Sequence, residues 1–135
     1  MKHKTVSVVI PSWNSQSQMK QNLPYVFAAA GEVSAEIIVV DDCSTSDSSV
    51  KYLKSLGNKI QFFENKNNLG YGETVNRGVS YATGDVIVLL NTDVRPSKDC
   101  FVKALKYFED ETIYALNFNS GEDWMGGEWK DGLFH

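Results

Sequence analysis

Residues Asp85–Val94 read DVIVLLNTDV and are the clearest indication of the fold. Their apolar part is short, rich in Val, Ile and Leu, and does not alternate with polar residues. Such a run is typical of a strand that is buried on both faces of a parallel sheet. In open α/β sheets, ligands bind outside the carboxyl ends of these strands. Asn91 and Asp93 follow the strand directly, so we expect them where a ligand and a hard metal ion could meet.

Three further apolar runs repeat this pattern, and each is followed by a polar turn and a stretch with helical spacing. The runs are Val6–Ile10, Ile37–Val40 and Ile60–Phe63. Alternation of strands and helices predicts a doubly wound, mainly parallel α/β sheet. In such a sheet the polar residues that follow strands one, two and four lie at one edge.

The helices are predicted from their caps and apolar stripes. A first helix covers roughly residues 15–30 and contains Pro24, where we expect a kink or a division into two short helices. Ser46 or Asp47 can cap the second helix, which ends at Gly57.

The later part of the chain continues the pattern. We expect a third helix that buries Val75, Val79 and Ala82 on one face, and a fourth that opens near Pro96. A fifth strand is predicted over Ile113–Phe118.

Length and composition predict one globular domain. The chain has 135 residues, of which 42% are hydrophobic and 22% charged, as in ordinary soluble proteins. A net charge of −4 without a basic stripe argues against a nucleic-acid partner. No apolar stretch approaches the ~18 residues that span a bilayer. The start of the chain lacks the apolar segment of a secretory signal, so a cytoplasmic location is expected.

Cysteine and histidine usage excludes several kinds of site. Cys43 and Cys100 lie far apart without Cys-x-x-Cys spacing, so we expect free thiols rather than a zinc or redox motif. His3 and His135 lie at the termini, which disfavours catalytic triads and zinc centres that need a positioned imidazole.

The loop after strand one contains Pro11, Trp13 and Asn14. It is not the glycine-rich turn of dinucleotide-binding or P-loop proteins. A Trp beside an Asn can give a base or ribose an apolar wall and a hydrogen bond, but Trp13 can equally be a packing residue.

Adjacent acids, Asp41 and Asp42, follow strand two. They are either turn-forming and capping acids, or Asp42 accepts hydrogen bonds from a nucleobase while Asp41 orients the loop. In the third helix, Asn76 is predicted to face a ligand. The strongest single site is Asn91-Thr92-Asp93. Asp93 either holds Mg²⁺ or Mn²⁺, which often bind through one carboxylate and substrate phosphates, or is a turn-capping acid before Pro96.

Four segments of the chain, taken in order, resemble the family 2 glycosyltransferases with the GT-A fold. They are SVVIPSWN at 7–14, IIVVDDCSTSD at 37–47, NLGYG at 68–72 with NRG at 76–78, and LLNTDVRP at 89–96. The Asn-x-Asp form of the last segment, in place of Asp-x-Asp, is most similar to the rhamnosyltransferase-type branch. That branch builds bacterial cell-surface polysaccharides.

The resemblance implies a Rossmann-like fold that binds a nucleotide-diphospho-sugar, and it implies roles for single residues. Asp42 would read the base with Asp41 beside it, and Asn91 would approach the ribose or donor sugar. Asp93 would hold the Mn²⁺ or Mg²⁺ that bridges the diphosphate and stabilises the leaving group. The implied substrate-binding residues are Pro11, Trp13, Asn14, Asp41, Asp42, Asn76, Asn91 and Asp93.

The resemblance covers the N-terminal, donor-binding half of the family. We assign residues 1–118 to this domain and leave the Gly- and Trp-rich residues 119–135 unassigned. The acceptor half and its general base are expected outside this chain. Acidic residues near the end are unsupported substitutes for that base: Glu122, Asp123, Glu128 and Asp131.

The sequence therefore predicts the donor domain of an inverting glycosyltransferase that acts in cell-surface polysaccharide or glycan synthesis. Its acceptor would be a glycan or a lipid-linked molecule, and peripheral association with a membrane is compatible with the chain. The alternative is a non-catalytic nucleotide-sugar-binding or assembly module with the same fold. A sugar-phosphate nucleotidyltransferase would need a glycine-rich, basic loop after strand one, and PSWN at 11–14 is not that loop.

Overall fold

The computed structural model describes residues 4–118 and the backbone of residues 129–130 and 133–134. The four apolar runs are strands: β1 (Val6–Ser12), β2 (Glu36–Asp41), β3 (Gln61–Glu64) and β4 (Val86–Leu89). They form one sheet in the order β3-β2-β1-β4, in which every neighbouring pair is parallel. The predicted parallel α/β sheet is confirmed. Burial on both faces, predicted for the last of these strands, is wrong, because β4 is an edge strand with Ile87 37% and Leu89 49% exposed.

Helices connect the strands. They are α1 (Gln16–Gly31), α2 (Ser49–Ser55), α3 (Tyr71–Tyr81) and α4 (Cys100–Tyr107), with a short 3₁₀ turn at Gly57–Lys59. Two short strands, β5 (Trp129–Lys130) and β6 (Leu133–Phe134), pair antiparallel. No helix in the described part of the chain is both long and apolar enough to cross a bilayer.

Helices cover both faces of the sheet because β1 and β2 are apolar on both sides. Val8 and Ile10 of β1 pack in one core with residues of α1, α2 and α4. Val9 points to the opposite face, where the core includes Tyr81 of α3. Gly78 of α3 lies so close to β1 that an added Cβ would collide with Val9 Cγ1, which explains why a glycine occupies this helix position.

Strand order also determines where a ligand would bind. Strands β2 and β3 lie on one side of β1, and β4 lies on the other side. The carboxyl ends of β1 and β4 therefore flank the point where the strand order reverses, which is the usual ligand crevice of an open α/β sheet.

Two helix predictions need correction. Helix α1 continues through Pro24 as a single element, so a division into two helices is wrong. One missing backbone hydrogen bond is outweighed by the buried residues on either side of it, such as Leu23 and Val26. The predicted burial of Val79 in α3 is also wrong. The buried residues of this helix include Val75 and Gly78, whereas Val79 is 39% exposed. The close approach at Gly78 turns this face toward the sheet and Val79 away from it.

The fifth strand predicted over Ile113–Phe118 does not form. These residues have no strand conformation, and Tyr114 is 98% exposed. An apolar run becomes a strand only where a neighbouring edge supplies hydrogen bonds, and apolar spacing alone does not show whether it does. Cys43 and Cys100 are free thiols, as predicted.

Candidate functional site

A cavity of about 610 Å³ opens at the carboxyl edge of the sheet, a size typical of small-molecule sites. Three segments form it: the end of β1, the loop after β2, and the loop that leads into α3. Pro11, Trp13 and Asp42 of the predicted site lie in its wall. The complete lining is Pro11, Ser12, Trp13, Asp42, Cys43, Thr45, Asn68, Gly70, Tyr71 and Thr74.

Two aromatic side chains at the cavity are unusually exposed. Trp13 is 58% exposed and Tyr71 is 61% exposed, so core packing does not account for either of them. Aromatic rings offer a flat apolar surface together with a polar atom, which suits a nucleobase or a sugar ring.

Asp42 is buried and its carboxylate is bound by the protein itself. Its oxygens accept hydrogen bonds from the backbone N–H groups of Leu69 (2.8 Å) and Gly70 (2.9 Å) and from Asn65 Nδ2 (2.8 Å). Burial alone would raise the pKa of Asp42, but these hydrogen bonds and one from Thr74 outweigh it, so the pKa lies below its ordinary value. A carboxylate has about four acceptor positions, so little capacity is left for a ligand.

Asp41 does not line the cavity. It is fully buried and accepts hydrogen bonds from Ser44 N (2.8 Å), Ser44 Oγ (2.6 Å) and Ser12 Oγ (3.5 Å). Its carboxylate therefore holds the loop after β2 against the end of β1, which agrees with the loop-orienting role considered from the sequence.

Asn14 joins the same two loops from the other side. Its Oδ1 accepts hydrogen bonds from the N–H groups of Thr45 (3.0 Å) and Ser46 (3.1 Å), and its own N–H donates to Ser44 Oγ (2.7 Å). The residue has a φ of 46°, in the left-handed region that Asn tolerates better than most residues. Asn14 supports the cavity from behind and does not line it.

The loop after β4 reaches the cavity through one contact. Tyr71 Oη donates a hydrogen bond to Asn91 Oδ1 over 3.1 Å, so a side chain of the cavity wall contacts the Asn-x-Asp segment. Asp93 lies two residues further on and is exposed. Among the described residues, nothing forms a hydrogen bond or ion pair with its carboxylate, which leaves all of its acceptor positions available.

Asn76 lies apart from the other predicted site residues. It is on the exposed side of α3 and outside the cavity lining. Its neighbour Arg77 donates hydrogen bonds to Asn65 Oδ1 and to Tyr81 Oη (3.2 Å). Arg77 therefore supports Asn65, which in turn donates a hydrogen bond to Asp42.

Sequence reasoning missed several residues of the cavity wall, of which Tyr71 is the most informative. The segment at 65–72 has the Asn and Gly content of an ordinary turn. The available signal was an aromatic residue directly after Gly70, at a helix start where its ring cannot reach the core. Cys43, which has a φ of 61°, also lines the cavity and was not predicted to do so.

At this site, Asp93 is the carboxylate that no described residue binds, so it is the one available to a metal ion. Within the described part of the chain, no three His, Cys, Asp or Glu residues come together as a metal cluster. The free carboxylate of Asp93 nevertheless fits an ion held by one carboxylate and by ligand phosphates, which is a common mode for Mg²⁺. The Asn91 amide oxygen already accepts from Tyr71.

Similar proteins are known from bacteria and archaea. An undecaprenyl-phosphate 4-deoxy-4-formamido-L-arabinose transferase of Sodalis glossinidius is 32% identical over 100 residues, which is 70% of this chain and 31% of that protein. A dolichol-phosphate mannosyltransferase of Pyrococcus furiosus is 26% identical over 113 residues, 82% of this chain and 32% of that protein. The chain thus spans about a third of the length of these relatives.

Solved structures share the fold. A mannosyltransferase from Pyrobaculum calidifontis, in complex with GDP-Man and Mn²⁺, superposes with a TM-score of 0.72 at 22% identity over 84% of this chain and 34% of its own. TarS of S. aureus in complex with UDP-GlcNAc gives a TM-score of 0.70 at 22% identity, over 80% and 32%. The model of Glycosyl transferase family 2 matches residues 7–132, nearly the whole chain, and the protein therefore belongs to this family.

Proposed function

We propose that this chain is the donor-binding part of an inverting glycosyltransferase, and that it binds a nucleoside-diphospho-sugar together with Mn²⁺ or Mg²⁺. One observation carries the proposal: Tyr71 in the cavity wall contacts Asn91, two residues from the free carboxylate of Asp93. A ligand with an aromatic base at one end and a diphosphate at the other would extend along this path.

The base would lie in the cavity beside Trp13, whose exposed ring provides the apolar wall. Asp42 borders the same space, where its negative charge would attract an N–H of the base. Asp41 and Asn14 support this arrangement by holding the loops, because their polar atoms bind backbone N–H groups and serine hydroxyls.

Charge explains why a cation is part of the proposal. Within the described residues, the cavity wall contains one carboxylate, Asp42, and neither lysine nor arginine. A diphosphate therefore needs another source of positive charge, and Asp93 is the free carboxylate that would hold it. When bound, a divalent ion acts as a Lewis acid that stabilises a leaving nucleoside diphosphate. Asn91 would then lie close to the ribose or the donor sugar.

Sugar transfer also needs an acceptor and a base that removes the proton of its hydroxyl. Both remain expectations from the sequence, and the acidic residues at 122, 123, 128 and 131 lie outside the described part of the chain. The names of the relatives include undecaprenyl phosphate and dolichol phosphate. These names support a lipid-linked acceptor. Peripheral membrane association, a cytoplasmic location and a role in polysaccharide or glycan synthesis stay predictions from the sequence.

The donor sugar is a separate part of the proposal. The Asn-x-Asp form resembles the rhamnosyltransferase-type branch, whereas the relatives named above transfer a modified arabinose or mannose. A donor panel should therefore include a nucleotide-activated rhamnose, GDP-mannose and UDP-GlcNAc.

Thermal unfolding with that panel, with and without Mn²⁺, tests the proposal. A donor at ~100 times its dissociation constant stabilises the fold by about 2.7 kcal/mol. We expect one donor and its nucleoside diphosphate to raise the melting temperature, more strongly with Mn²⁺. Trp13→Ala should remove the shift while leaving the unliganded melting temperature near that of the wild type. No shift with any nucleotide would contradict the proposal. Binding without transfer is expected of this chain in either case, because the acceptor half and its general base are expected outside it.

A further inference from the structure

A polar residue interrupts the buried face of α1. Asn22 is 5% exposed and lies on the same side of the helix as Met19, Leu23 and Val26, which are core residues. Helix formation and core packing both favour an apolar side chain at such a position. Burying an amide costs free energy unless its polar atoms are hydrogen-bonded, so the contacts that Asn22 makes are informative.

Both polar atoms of Asn22 bind the loop that carries Asp93. Its Nδ2 donates to the carbonyl oxygen of Thr92 over 2.8 Å, and its Oδ1 accepts from Arg95 Nε over 2.6 Å. Thr92 immediately precedes Asp93, and Arg95 follows it by two residues. The amide therefore fixes the loop on both sides of the free carboxylate.

Arg95 is fixed to α1 by two further contacts. Its guanidinium lies over the ring of Tyr25, 5.5 Å from the centroid, in the geometry of a cation–π interaction. Its Nη2 is 3.4 Å from Gln21 Oε1. Arg95 is thus directed toward the helix, and it serves the loop rather than a ligand.

We propose that Asn22 and Arg95 are positioning residues that hold the Asp93 carboxylate in place for a divalent cation and its nucleotide. The inference rests on the proposed function, because it assigns these residues to the same cation site. Divalent ions such as Mg²⁺ demand near-ideal ligand geometry. A carboxylate on an unrestrained loop would have to be ordered at the moment of binding, whereas a loop already fixed to α1 avoids that cost.

Calorimetric titration with a nucleoside diphosphate, with and without Mn²⁺, measures the effect. Residues that orient metal ligands typically contribute 10–100-fold in metal affinity. We expect Asn22→Leu, which suits the apolar surroundings, to reduce the Mn²⁺-dependent gain in affinity about tenfold or more. Arg95→Gln alters an exposed residue and should reduce the gain in the same direction without risk to the core. Affinity in the absence of Mn²⁺ should remain close to that of the wild type in both variants.

Val26→Ala is the matched control, because it removes packing on the same face of α1 without removing a polar contact to the loop. It should lower stability and leave the Mn²⁺-dependent gain unchanged. Hydrogen exchange supplies a second measurement: the amides of residues 91–95 should exchange faster in Asn22→Leu and Arg95→Gln than in Val26→Ala.

The outcomes separate this inference from the proposed function. If the wild type gains affinity with Mn²⁺ and both polar variants keep the full gain, the positioning role is wrong and the proposed function stands. If the wild type shows no Mn²⁺-dependent gain, both are wrong. A reduced gain in Val26→Ala equal to that in Asn22→Leu would also overturn the inference, because general destabilisation would then explain it.

Discussion

Two loops at the same edge of the sheet use their carboxylates in opposite ways. After β2, Asp41 and Asp42 are buried, and their oxygens are bound by backbone N–H groups and polar side chains of the same loop and of neighbouring segments. After β4, Asp93 is exposed and no described residue binds its carboxylate, although Asn22 fixes the loop on which it lies.

The contrast separates carboxylates that support the loops from one that is free to bind a ligand. A carboxylate that satisfies several N–H groups stabilises the loops and has little capacity left for a ligand. A free carboxylate on a fixed loop contributes little to folding and is available to bind a cation. Residue type and place in the motif are alike in the two loops, so only the contacts distinguish these roles.

The largest effect on stability is expected from Asp42→Ala. It leaves two backbone N–H groups and the Asn65 amide without their charged acceptor, and hydrogen bonds to charged groups contribute about 1.5–3 kcal/mol each. We expect the free energy of unfolding, measured with urea, to fall by about 3 kcal/mol. Asp93→Ala is the control and should change it by less than about 0.5 kcal/mol. If both variants lose the same free energy of unfolding, Asp42 and Asp93 do not differ in their contribution to stability.

A smaller loss is expected at Asn14, where backbone conformation and side-chain contacts can be separated. Asn14→Ala loses the hydrogen bonds to Thr45 and Ser46 and also places a Cβ at positive φ, so we expect a loss of about 2 kcal/mol. Asn14→Gly loses the same hydrogen bonds but tolerates the φ, and should cost about 1 kcal/mol. If urea unfolding gives the same value for both, the left-handed conformation contributes nothing.

The lowered pKa of Asp42 predicts how stability depends on pH. As the pH falls from about 4, the unfolded chain binds a proton at this carboxyl before the folded chain does. The stabilisation is therefore complete above that pH and is lost as the pH falls through the folded pKa. Glu36 and Asp47 have lowered pKa values and act in the same direction.

Unfolding measured at several pH values should accordingly give a smaller slope for Asp42→Asn than for the wild type. One carboxyl accounts for at most about 1.4 kcal/mol per pH unit. An unchanged slope below pH 4 would show that Asp42 is not preferentially charged in the folded protein.

The smallest effect is expected from Asn76→Ala. The side chain is exposed and lies outside the cavity lining, so stability should change by less than about 0.5 kcal/mol. Donor affinity, measured by calorimetry, should change by less than about twofold, or about 0.4 kcal/mol. A tenfold loss would restore the sequence-based prediction that Asn76 faces the nucleotide or the sugar.

The sequence predicted the residues whose place depends on topology alone. Trp13 and Asp42 follow strands directly, and parallel strands bring such residues to one edge whatever the details of packing. Roles that depend on contacts between distant segments could not be predicted in the same way. In the sequence, Asn22 resembles any polar residue of an amphipathic helix. Its role follows only from its hydrogen bonds with Thr92 and Arg95. Likewise, the segment at 113–118 is apolar but pairs with neither edge of the described sheet.

A calorimetric comparison of the wild type and Asp93→Asn, titrated with a nucleoside diphosphate with and without Mn²⁺, is the strongest test of whether Asp93 holds the cation. Replacing the carboxylate by an amide leaves a much weaker ligand for a hard divalent ion, and it should leave the fold intact because Asp93 has no partner in the described structure. We expect a Mn²⁺-dependent gain in affinity for the wild type and none for the folded variant. The same gain in both proteins would show that the cation is held by other residues.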